Sequence, residues 1–193
     1  SEIAEETGLK LPTARRILLA LIRSGLVEQD EASRRYFLGP ESYVLGTVAA
    51  ERYGIDRIAS DSLRRLVELS EDNVFISVRN CLHAVCLHRR EGTYPVRAHV
   101  LAAGDRHPLG IGAGSLAILA ALPDHEVDFI IRTNSPTCAE RYPLATDEAI
   151  RRLVADARRK GYALNPGLIF PGAWAIGVAI HDPPGTPVAA LSV

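Results

Sequence analysis

Four groups of residues in this 193-residue chain have the types and spacing to do chemistry. Cys81-x-His83-x2-Cys86-x-His88 offers the side chains of a zinc site. On a strand, residues 81 and 83 face opposite to 86 and 88, so the four converge only through a bulge or turn. No paired C-x2-C knuckle accompanies them, and no metal or cofactor is expected. Gly110, Gly112 and Gly114 alternate ahead of a helix that starts near Ser115. Bare backbone N–H groups and the positive end of the helix dipole there would suit a carboxylate. The same glycines equally suit close packing of the helix on a sheet. A G-x-G-x-x-G nucleotide motif would need glycine at 115, where serine stands, and no P-loop Lys-Ser/Thr follows. Ser115 with His107 or His125 as base and Asp105 as orienter outlines a hydrolase, but no G-x-S-x-G elbow surrounds the serine. Finally, no acidic residue lies between Thr7 and Val27, while Lys10, Arg15, Arg16 and Arg23 supply positive charge. Such a run is either a nucleic-acid contact or a solvated helix face.

The elements that must position these groups follow from periodicity. Residues 2–7 form a short helix closed by Gly8, and Pro12 suits the first turn of a second helix. In it Ala14, Ile17, Leu18 and Leu21 make one inward stripe. Pro12, Arg16 and Arg23 point roughly the other way, flanked by Thr13 and Arg15. Gly25 ends this helix, and segments 26–29 and 35–38 read as a hairpin around Asp30-Glu31-Ala32-Ser33. Helix, turn, helix and hairpin make a winged helix-turn-helix without its first helix, over residues 1–40. Its exposed helix face has the Arg and hydroxyl groups that a major groove requires, and Arg34 and Arg35 sit on the wing.

Beyond the Gly39-Pro40 break, residues 41–70 are helical, divided at Gly54, and read as a linker. Residues 71–193 mix strands at 74–78, 83–88, 96–100, 173–180 and 188–193 with helices at 112–122, 124–132 and 147–160. That is an α+β domain with an antiparallel sheet. The opening Ser1-Glu2-Ile3-Ala4 and the closing apolar run to Val193 read as parts of a longer protein.

Composition narrows the classes. Apolar residues make up 47% and charged residues 23%, a globular balance. The net charge of −1 leaves any attraction to nucleic acid local rather than global. No apolar run has the length of a membrane span, and no secretion signal is visible at the start. Three cysteines make no disulfide framework, and a cytoplasmic protein is expected.

Ile3-Ala4-Glu5-Glu6-Thr7-Gly8-Leu9, then Thr13, Arg16, Leu18, Leu21, Gly25-Leu26-Val27 and Tyr36-Phe37-Leu38-Gly39-Pro40 closely resemble the IclR family of bacterial transcriptional regulators. The likeness extends, more loosely, through the second domain, including the segment from Pro108-Leu109 to Leu119-Ala120. It implies a GAF-like or profilin-like effector domain, and a homodimer or homotetramer on palindromic double-stranded operator DNA. It implies that a first helix and a segment after Val193 belong to the complete protein. DNA contacts are then expected from Lys10, Thr13, Arg15, Arg16, Arg34 and Arg35. A small organic-acid effector is expected at Ala113 and Gly114, with Asn165, Ala175, Val96 and His99 around it. Relatives often carry an acid where Asn165 stands. With the small Ala175 and with Phe170, Pro171 and Trp174 nearby, this implies a roomier pocket for an aromatic or extended acid. The alternative is a small-molecule-binding or hydrolase-like protein using the Gly112–Ser115 segment, with zinc at residues 81–88.

Overall fold

The computed structural model describes residues 2–94, 101–169 and 172–193, and at 51–53 and 56 the backbone alone. The chain divides into two compact units, Ser1–Ile55 and Asp56–Val193.

In the first unit, α1 (Glu2–Thr7) ends at Gly8, whose φ of 66° is left-handed. Helix α2 (Leu11–Arg23) follows, with Pro12 in its first turn, where a missing N–H costs nothing. Its end is a two-bond cap: Gly25 N–H donates to Ile22 O and Leu26 N–H to Leu21 O, both at 3.0 Å. Strands β1 (Val27–Gln29) and β2 (Tyr36–Leu38) pair antiparallel, Val27 opposite Leu38. Helix α3 (Pro40–Tyr53) is tied back to this layer: Gly39 N–H and Ser42 Oγ both donate to Leu26 O at 2.8 Å. Of the inward stripe expected on α2, Ala14 is buried and Leu18 and Leu21 are half-buried, but Ile17 is 43% exposed. The six residues of α1 are too few to cover the whole stripe.

In the second unit, α4 (Ile55–Ser70) buries Leu63. Among the described residues a six-stranded antiparallel sheet runs in the order β5-β4-β3-β8-β7-β6. Its members are β3 (Val74–Asn80), β4 (His83–Arg90), β5 (Arg106–Pro108), β6 (Ala163–Pro166), β7 (Trp174–His181) and β8 (Pro187–Ser192). Three helices accompany it: α5 (Ala113–Ala120), α6 (Asp124–Arg141) and α7 (Asp147–Lys160). Every residue of α5 is buried, and its Leu116, Ile118 and Leu119 form the middle of the core with Ile130, Ile131, Ile150 and Val154. Arg158 on α7 closes the far end of α5, donating to Ala120 O at 2.9 Å and Leu122 O at 2.6 Å. A guanidinium at a helix C-terminus offsets both the open carbonyls and the dipole.

Three features differ from the expectations. Helix α6 continues to Arg141 through Pro136 instead of stopping at 132. Its buried face, Val127, Ile130, Ile131, Asn134 and Cys138, carries on past the proline, and core burial outweighs the roughly 3 kcal/mol of an interior proline. Strands β5 and β6 were not anticipated. Each is a short edge strand with a terminal proline, a sheet position where proline is tolerated. The strand expected at 96–100 lies outside the described residues.

Candidate functional site

The register of the sheet strings small and polar side chains along one face. Asn165 lies opposite Ala175, and Gly177, two residues on, lies opposite Ser192. Ala190 lies opposite Ser77, Ser77 opposite Cys86, and Ala84 opposite His107. Directly paired residues and their i±2 neighbours share a face, so all of these look toward α5. Asn165, Ser192, Ser77 and His107 are each less than a tenth exposed.

Helix α5 comes down on this row at its N-terminus. A Cβ on Gly177 would lie 2.5 Å from Ala113 O, and a Cβ on Gly114 would lie 3.1 Å from Ser192 Oγ. Gly177 is therefore required for the contact. Gly112 caps the helix at φ 83°, and Gly110 turns the chain ahead of it at φ 99°. Ser115 Oγ fixes that turn, accepting from Gly110 N–H at 2.9 Å and donating to Pro108 O at 3.2 Å. Among the described residues, no hydrogen bond engages the N–H groups of Ala113, Gly114 and Ser115. The glycines thus serve close packing and leave open amides at the same time.

Gly110, Gly112, Asn165, Leu168 and Ile169 share a narrow recess with Ile111, Leu116, Ala145 and Leu153, closed too tightly here to hold a water molecule. Asn165 Oδ1 accepts from Leu168 N–H at 3.0 Å, which shapes the loop after β6. Ala113, Gly114, Asn165 and Ala175 thus belong to one face and one helix end. Val96, His99, Phe170 and Pro171 lie outside the described residues. Ser192, Ser77 and Gly177 were missed. The signal for Gly177 was present, since an isolated glycine within a strand marks a close backbone approach.

His107 stands at the other edge of the sheet, 6% exposed, and its Nδ1 is buried without a partner among the described residues. Burial pushes the imidazole pKa down to about 4, the nearby Asp105 opposes this, and His83 adds to it. The ring is neutral at physiological pH.

Two expectations of chemistry find no geometry. Ser115 is 1% exposed, and both of its hydrogen bonds go to backbone, so its proton is directed at a carbonyl rather than at a histidine. In the cysteine–histidine segment, Cys86 pairs with Ser77 while His88 pairs with Ile76, because Leu87 is an extra residue in a bulge. Since Ser77 and Ile76 are consecutive, Cys86 and His88 turn to opposite faces. Cys81 sits in the turn at φ 53°, and among the described residues no three potential ligands gather.

In the first unit, Lys10, Arg15, Arg16, Arg23, Arg34 and Arg35 are all exposed, and Thr13 is half-buried. Among the described residues none of these six cations has an acidic partner, whereas Arg151 and Arg158 on α7 pair with Asp128 and Asp124. At the wing tip, Asp30 takes hydrogen bonds from Ser33 Oγ and N–H, which hold its carboxyl below the usual range. Arg34 N–H donates to Asp30 O at 2.9 Å, so Arg34 is held at φ 59°, presented outward. Among the described residues no helix is long and apolar enough to cross a membrane.

A winged helix-turn-helix followed by an α+β sheet unit is the build of a DNA-binding transcriptional regulator with an effector domain. The chain belongs to the IclR family. Residues 47–193 match the family profile described as bacterial transcriptional regulator IclR C-terminal, and residues 1–31 match the IclR helix-turn-helix domain. It is 28% identical to the HTH-type transcriptional repressor AllR of Klebsiella pneumoniae, over 100% of this chain and 71% of that protein. It is 26% identical to the HTH-type transcriptional regulator KipR of Bacillus subtilis, over 100% of this chain and 76% of that one. An IclR homolog from Microbacterium hydrocarbonoxydans, solved in complex with 4-hydroxybenzoate, has the same fold: TM-score 0.80 at 23% identity, covering 99% of this chain and 78% of that one.

Proposed function

We propose that this regulator binds a small organic acid in its second unit and operator DNA through its first, and that the acid shifts operator affinity. The carboxylate rests on the open amides of Ala113 and Gly114, with Asn165 and Ala175 at its side and Val96 and His99 completing the wall. The observation that carries this reading is the N-terminus of α5, laid on a face of buried small and polar side chains beside an apolar recess. The homolog solved with 4-hydroxybenzoate supports an acid of aromatic size. Lys10, Thr13, Arg15 and Arg16 enter the major groove and Arg34 and Arg35 reach phosphate or the minor groove, which is consistent with five exposed cations that have no acidic partner among the described residues.

The protein acts in the cytoplasm, where its operator is, and as a regulator rather than an enzyme. It works as a homodimer or homotetramer, because one winged module buries too little surface for selective binding. Exposed apolar side chains favour such assembly: Tyr43, Leu45 and Val48 on α3, and Trp174 and Ile176 on β7.

Arg16→Ala separates a base contact from a phosphate contact. Fluorescence anisotropy with operator and scrambled duplexes is expected to show a loss of about 1–3 kcal/mol on operator alone, with base preference relaxed at one position. Equal weakening on both duplexes would assign Arg16 to phosphate.

A further inference from the structure

Among the described residues of the second unit, one buried side-chain nitrogen has no hydrogen-bond partner. Asn165, Ser115 and Asn134 are all hydrogen-bonded, whereas His107 Nδ1 is sealed from solvent without a partner. An unpaired buried nitrogen is costlier than an apolar group of similar shape, so such an atom calls for an explanation.

The ring's other nitrogen shows what the imidazole faces. His107 Nε2 lies 3.9 Å from where a Cβ on Gly112 would stand, and Gly112 is the N-cap of α5. On that same point Ile169 Cδ1 closes to 3.5 Å, and Gly112 lines the recess together with Asn165. His107 and Asn165 belong to β5 and β6, the two edge strands among the described residues, yet both come to Gly112 at the N-terminal end of α5. The imidazole therefore approaches the N-cap of α5 through Nε2, and Asn165 lines the recess that Gly112 shares.

We propose that His107 sets effector specificity, hydrogen-bonding a hydroxyl group carried by the acid whose carboxylate rests on α5. This deepens the organic-acid reading above and rests on it. A hydroxyl fits better than a second charge. It is neutral, and it both donates and accepts, matching a neutral ring with one donor and one acceptor nitrogen. A second carboxylate would sit beside Asp105, which already acts electrostatically on this ring. Ile111, Leu116, Leu168 and Ile169 supply an apolar lining for the carbon skeleton. A pocket built to bond a hydroxyl rejects the analogue lacking it far more strongly than an apolar pocket distinguishes sizes.

The test is calorimetric titration of the protein with acids paired by one hydroxyl: benzoate with 3- and 4-hydroxybenzoate, phenylacetate with mandelate and 4-hydroxyphenylacetate, and propionate with lactate. The wild type is expected to favour a hydroxylated member at least about tenfold. His107→Leu should erase that preference while holding the parent acid within about threefold, and His107→Gln should retain part of it. Without ligand, His107→Leu should melt about 2 °C or more above the wild type, since an unpaired nitrogen is removed. Binding without hydroxyl preference, or a preference that survives in His107→Leu, overturns the role of His107 and leaves the organic-acid reading standing. Lower melting of both ligand-free variants makes the ring a packing group and overturns it too. No binding of any acid overturns both readings.

Discussion

Gly177→Ala is expected to cost the second unit about 3 kcal/mol or more, or to prevent its folding. The methyl carbon would stand 2.5 Å from Ala113 O, 2.6 Å from Ala113 C and 2.8 Å from Gly114 N, all backbone atoms. A flexible side chain could swing aside, but a buried helix end cannot. Moving α5 would also disturb Leu116, Ile118 and Leu119, each no more than 1% exposed at the centre of the core. Where the variant does fold, the amides of Ala113 and Gly114 are displaced from the sheet, so acid binding falls along with stability. Urea unfolding followed by circular dichroism checks the first part. Gly46→Ala is the control: its methyl meets nothing within 4 Å on α3, and alanine there should stabilise by roughly 0.5–1 kcal/mol. Equal, small effects at both glycines would remove the close approach of α5 from the account.

The second large effect is with pH. His107 is held neutral down to about 4 in the folded protein, against an ordinary value of 6.5. Above 6.5 both states carry a neutral ring and the group contributes nothing to the pH dependence. As pH falls from 6.5 toward 4, the unfolded chain takes up a proton that the folded chain does not, so stability is lost through that window and then levels off. The whole loss is about 3 kcal/mol, roughly three quarters of it reached by a pH of about 4.5. Urea midpoints of the wild type and His107→Leu at neutral pH and at pH about 4.5 isolate it, because carboxylate effects such as that of the Asp128–Arg151 pair cancel between the two proteins. The wild type should lose about 2–3 kcal/mol more than the variant over that range. Equal losses would mean the ring is not buried as described.

Much of this was legible in residue order. Gly8, Pro12 and Gly25 punctuate the helix-turn-helix, and the Asp30–Ser33 turn sets the hairpin, because local conformational rules decide those elements. Thr146 and Gly161 bound α7 for the same reason, one as N-cap and the other in a left-handed C-cap. What was not legible depends on long-range register. That Asn165 faces Ala175, and that Ser192 and Ser77 share a face with both, follows only once β3, β8, β7 and β6 are paired. The bulge at Leu87, which parts Cys86 from His88, has no signature in the unbroken apolar run from Ala84 to Leu87. Helix α6 is longer than the 124–132 expected because the polar stretch Arg132-Thr133-Asn134-Ser135 hides a buried face that continues through Asn134 to Cys138.

The most direct measurement of the account is operator binding with and without acid. The protein is titrated by fluorescence anisotropy onto the intergenic DNA upstream of its own gene and onto a scrambled duplex, at two salt concentrations. The titrations are then repeated with 4-hydroxybenzoate and the paired acids at saturation. The account predicts tight, sequence-selective binding that at least one acid shifts by about fivefold or more, since an effector acts only through differential affinity for two arrangements. Equal, weak, strongly salt-dependent binding to both duplexes would reduce the cations of α2 and the wing to a solvated face. Selective binding untouched by every acid would contradict the coupling at the centre of this account.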